Sequence, residues 1–61
     1  MNQAIAHLDA AALIAEHNAP ISEQAGDLEQ AGLQREVAAD CRQTIEQLQN
    51  LEQELQQCPS N

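Results

Sequence analysis

The fold class the sequence predicts is all-α: a helical hairpin with a short helix over about residues 2–17 and a long one over about 21–57, dimerising into a small helical bundle. Three features predict it. Apolar residues recur at helical spacing in both segments, one strong punctuation separates them, and the long segment carries a stripe from Leu33 to Cys58 that demands burial.

The first segment, from about Asn2 to His17, is rich in Ala, Leu and Ile, good or tolerable helix formers. At about 100° per residue, Met1, Ala4, Ile5, Leu8, Ala11, Ala12 and Ala15 fall on one side, a narrow face suited to close packing. Leu13 and Ile14 lie off it, as candidate contacts to a further partner.

Asn18-Ala19-Pro20 predicts the end of that helix, because Asn tolerates a left-handed terminus and Pro disfavours helix in the residue before it. Pro also fits the first turn of a new helix, and Glu23, Asp27 and Glu29 would then favour the positive end of its dipole.

From there to about Gln57 only Gly26 and Gly32 oppose helix, each at about 1 kcal/mol relative to Ala. The apolar pattern shifts phase across them. Ile21, Ala25 and Leu28 share one face, whereas Leu33, Val37, Cys41, Thr44, Leu48, Leu51, Leu55 and Cys58 form a stripe roughly opposite, with Ile45 at its margin. Two architectures satisfy this shift. In the preferred one, the first helix folds back on the Ile21 to Leu28 face, the glycines permit close approach, and the stripe pairs with a second copy. In the other, the long helix kinks or breaks near Gly32 and three helices close within one protomer. Leu48, Leu51, Leu55 and Cys58 keep coiled-coil spacing over too few heptads for a long coiled coil, so a short seam is expected, and residues 58–61 should fray.

Composition narrows function. A chain of 61 residues without Phe, Tyr or Trp is a single marginal domain, for which association is a common remedy. Ten acidic residues against Arg35 and Arg42 give a net charge of −8, which disfavours direct nucleic-acid binding and an anionic membrane surface. No run is long enough to span a bilayer, and the N-terminus lacks the basic lead of a signal peptide, so a cytoplasmic location with reduced thiols is expected.

Neither a catalytic nor a metal site is expected, and no cofactor. Cys41 could in principle act with His7 or His17, but it sits inside the apolar stripe, where free cysteine behaves as a small hydrophobe. His7 and His17 are ten residues apart, about 15 Å along one helix. Cys41 and Cys58 would be about 25 Å apart on one helix, too far for an intrachain disulfide, but level with each other's copies in an antiparallel dimer centred near Asn50.

The leading functional expectation is a non-catalytic interaction module, a homodimer that binds, sequesters or chaperones another protein, with Leu33, Val37, Cys41, Ile45, Leu48, Leu51 and Leu55 as the interface. The alternative is an acidic inhibitor or nucleic-acid mimic that meets a basic protein through Glu36, Asp40, Glu46 and Glu54.

Overall fold

A computed structural model describes residues 2–57; Met1 and the tail 58–61, with Cys58, lie outside the described residues. Two helices, α1 (Asn2–Gln24) and α2 (Leu28–Gln57), pack antiparallel along one another. The hairpin is a thin ribbon with principal extents of 57 × 15 × 10 Å.

The turn falls at Ala25-Gly26-Asp27, later than the Asn18-Ala19-Pro20 punctuation suggests. Gly26 adopts a left-handed φ of 84°. Its N–H donates to the Glu23 carbonyl at 3.0 Å and the Asp27 N–H donates to the Ser22 carbonyl at 2.9 Å, so the last free carbonyls of α1 are satisfied in a Schellman cap. Asp27 then caps α2, its Oδ1 accepting from the Gln30 N–H at 3.1 Å. One glycine thus ends a helix and the next residue starts another.

Asn18, Ala19 and Pro20 remain helical. Pro20 removes one backbone donor, but its ring is exposed and the interior-facing Ala19 is buried, so packing on both sides of the proline holds the helix. Nor does Gly32 interrupt α2, which runs unbroken through it; a Cβ at Gly32 would meet nothing within 4 Å, so that glycine mediates no close approach within the chain.

The seam is built chiefly from small residues. On α1, Ile5, Leu8, Ala12, Ala15, Ala19 and Ser22 are buried or half-buried; on α2, Ala31, Gln34, Ala38, Cys41, Ile45, Leu48 and Glu52 are. Both series alternate steps of three and four, as in an antiparallel coiled coil. Ser22 Oγ donates to Gln34 Oε1 at 2.9 Å, giving the turn end of the seam a polar tie. The expected fold-back onto Ile21, Ala25 and Leu28 does not occur: all three are exposed. Moving the turn to Gly26 puts these residues in the turn region itself, and alanines take the contact instead.

Candidate interaction surface

The two broad sides of the ribbon differ in chemistry. One side is laced by ion pairs. The Arg42 guanidinium reaches across to α1, contacting Glu16 through Nη2 at 3.0 Å and Nε at 3.3 Å, and Asp9 through Nη1. Arg35 Nη2 meets Glu23 Oε1 at 3.2 Å. Hydrogen bonds from Arg42 hold the Glu16 carboxyl below the ordinary carboxylate range, and the same bonds, first to Glu16 and then to Asp9, push Arg42 further up. Both arginines of the chain therefore serve as interhelical ties, and neither pairs with Glu36, Asp40, Glu46 or Glu54 along α2. Asp9, Glu16 and Glu23 stand seven residues apart, as do Arg35 and Arg42. Such heptad-spaced charges flanking a seam are the signal that could have located these pairs in the sequence.

The opposite side is apolar. Large side chains of α2 lie open there: Leu33 is 51% exposed, Val37 48%, Leu51 45% and Leu55 62%. Ile14 of α1 joins them, and with Ala11, Leu33 and Val37 it lines a shallow groove of about 380 Å³ between the helices. Thr44 belongs to the same band, and its hydroxyl donates back to the Asp40 carbonyl at 2.8 Å, so the group's hydrogen bond is already made within its own helix. No Asp, Glu, Arg or Lys occupies the stripe positions Leu33, Val37, Cys41, Thr44, Leu48, Leu51 and Leu55.

The structure divides the expected interface. Leu33, Val37, Leu51 and Leu55 remain available, whereas Ile45 is buried, at 9% exposure, and Cys41 and Leu48 are half-buried in the chain's own seam. The reason is periodicity: Ala31, Ala38 and Ile45 turn inward, and Cys41 and Leu48 sit on the border between seam and band. Leu13 is exposed but, one residue before Ile14, it points to a different side, so the two do not form a joint contact. Glu36, Asp40, Glu46 and Glu54 are exposed; helical spacing puts Glu36, Asp40 and Glu54 along the outer edge of α2 and Glu46 nearer the arginine side.

Among the described residues no three His, Cys, Asp or Glu side chains converge as a metal site would require, and Cys41 is a free thiol without a resolved shift. His7 and His17 are exposed on α1. No described helix is long and apolar enough to cross a membrane. Comparison with known proteins gives no further guide: no protein-family model, no curated protein and no solved structure matches this chain.

Proposed function

We propose that the chain is a non-catalytic protein-interaction module, working as a small acidic bundle of helices whose apolar band is covered by another polypeptide. The observation that carries this reading is the mismatch between the seam and the band. The hairpin buries alanines and one isoleucine, while Leu33, Val37, Leu51, Leu55 and Ile14 lie open on one continuous side. Burying a Leu or Val contributes about 1.5–3 kcal/mol, so the larger part of the hydrophobic free energy available to α2 is left to an intermolecular contact. A contiguous apolar patch of this kind marks an interaction surface.

The double variant Val37→Glu/Leu51→Glu tests this. Both positions lie outside the seam, so helicity by circular dichroism should persist while association with the covering polypeptide, read by sedimentation and by co-purification, should fall at least tenfold. Retained association would overturn the reading. Leu48→Glu is a poorer probe, because Leu48 also contributes to the intrachain seam.

A second reading rests on a different observation. With Arg35 and Arg42 occupied by α1, Glu36, Asp40 and Glu54 have no basic neighbour and line the outer edge of α2, a surface suited to a basic nucleic-acid-handling protein. Salt separates the two readings: a contact made by the apolar band persists at high ionic strength, whereas one led by the carboxylate edge weakens steeply.

A further inference from the structure

We infer that the covering polypeptide is a second copy of the chain, seated face to face and antiparallel on a two-fold axis that passes at Thr44. This rests on the reading that the apolar band is a protein contact, and adds its occupant and register.

Three observations carry it. The first is area. A compact folded monomer of 6.6 kDa exposes about 3,900 Å². The hairpin exposes 4695 Å², roughly 800 Å² more, which is about what each partner buries in a standard-sized interface.

The second is symmetry within the stripe. An isologous interface requires each contact to be repeated about the axis, so the apolar positions of one helix must read the same in both directions from its centre. They do so about Thr44. Leu33 and Leu55 are each eleven residues from it, Val37 and Leu51 each seven, and Cys41 and Leu48 stand three before and four after. An antiparallel partner centred there sets Leu33 against the partner's Leu55 and Val37 against the partner's Leu51, with Thr44 against its own copy. The short helix fits the same axis. Asp9 contacts Arg42, which places Asp9 near the level of Thr44. Ala4 and Ile14 are each five residues from Asp9, and His7 and Ala11 each two. Stacking α2 on α2 and α1 on α1 yields an antiparallel four-helix bundle.

The third is polarity. Despite a net charge of −8 per chain, the stripe carries no ionic side chain, and the carboxylates sit on the outer edge and the arginine-tied side. The one hydroxyl at the axis, on Thr44, already has its partner at the Asp40 carbonyl, so burial leaves it satisfied.

Cysteine cross-linking in the full chain, with Cys41→Ala and Cys58→Ser to remove the native thiols, tests both the occupant and the register. Thr44→Cys should give a covalent dimer on mild oxidation. Leu33→Cys and Leu55→Cys should each remain uncross-linked alone and should link to one another when mixed. Self-linking at all three positions would mean parallel chains and overturn the inference, as would a native Cys41 to Cys58 cross-link between copies, which centres the pairing near Asn50 instead. Sedimentation of the unmodified chain should give about twice 6.6 kDa. A 6.6 kDa particle that never cross-links would exclude the second copy. If that monomer still co-purified with a different protein, and lost it on Val37→Glu/Leu51→Glu, the interaction module would stand and only the self-pairing would fall; if the substitutions changed nothing, both would fall.

Discussion

At the scale of the residue, Arg42 is the most connected side chain in the hairpin, a fork that joins Asp9 and Glu16 of one helix to the other. Its effect is tied to pH through Glu16. The folded-state pKa of Glu16 is depressed, so its stabilising contribution is complete above the ordinary value of 4.5 and is lost as pH falls through the lower folded value. Glu16→Gln should therefore lower the melting temperature at neutral pH, and the gap between variant and parent should close in acid; thermal melts by circular dichroism from pH 7 to pH 3 check it. A gap that widened in acid would show that the pair does not stabilise the fold. These interhelical pairs were legible only as a spacing. Asp9, Glu16 and Glu23 repeat by sevens, but nothing in the local sequence says which helix will face them until the turn is placed.

At the scale of the element, the two glycines have opposite roles. Gly26 holds a φ of 84°, where an L side chain is strained even though no atom lies within 4 Å of the added Cβ. Gly26→Ala should destabilise the hairpin by about 1–2 kcal/mol. Gly32 sits in the interior of α2 with the same open space and no unusual backbone, so Gly32→Ala should stabilise by up to about 1 kcal/mol. Urea denaturation of the pair reads both signs at once. The sequence contained the true turn: a glycine, then Asp27 as a cap, then Gln30 three residues on. Pro20 outweighed it in the sequence reading, because a proline's cost in an isolated helix is larger than a glycine's. In the folded chain Pro20 faces outward between the buried Ala19 and the half-buried Ser22, and the seam on either side outweighs its missing hydrogen bond.

For the whole molecule, the helical class and the hairpin were readable from periodicity, and so was the existence of an apolar face on α2 that the chain does not cover. The seam itself was harder to read. Hydropathy favours Leu and Val, so the stripe from Leu33 to Leu55 stood out, while Ala31 and Ala38, which make the actual intrachain contact, carried little weight. Alanines win that contact because small side chains let two helices approach closely along their length. The consequence for stability is that folding and association are linked. Dimerisation through the band should make the melting temperature rise with protein concentration, by several degrees across a hundredfold range, measured by circular dichroism at micromolar and then near-millimolar chain. A concentration-independent transition would assign all the stability to the hairpin alone.

The Schellman turn at Gly26 also has a kinetic consequence. Because α1 and α2 are joined by so short a connection, the first contacts close a small loop, and each later pair along the seam lies next to one already made, from Ser22 and Gln34 outward to Ile5. The chain can thus zip from one end at little entropic cost per step, on the microsecond scale of helix and loop formation. Covering the band is by contrast a bimolecular event. Folding of this protein therefore separates into a fast phase set by one glycine and a slower one set by how often two ribbons meet.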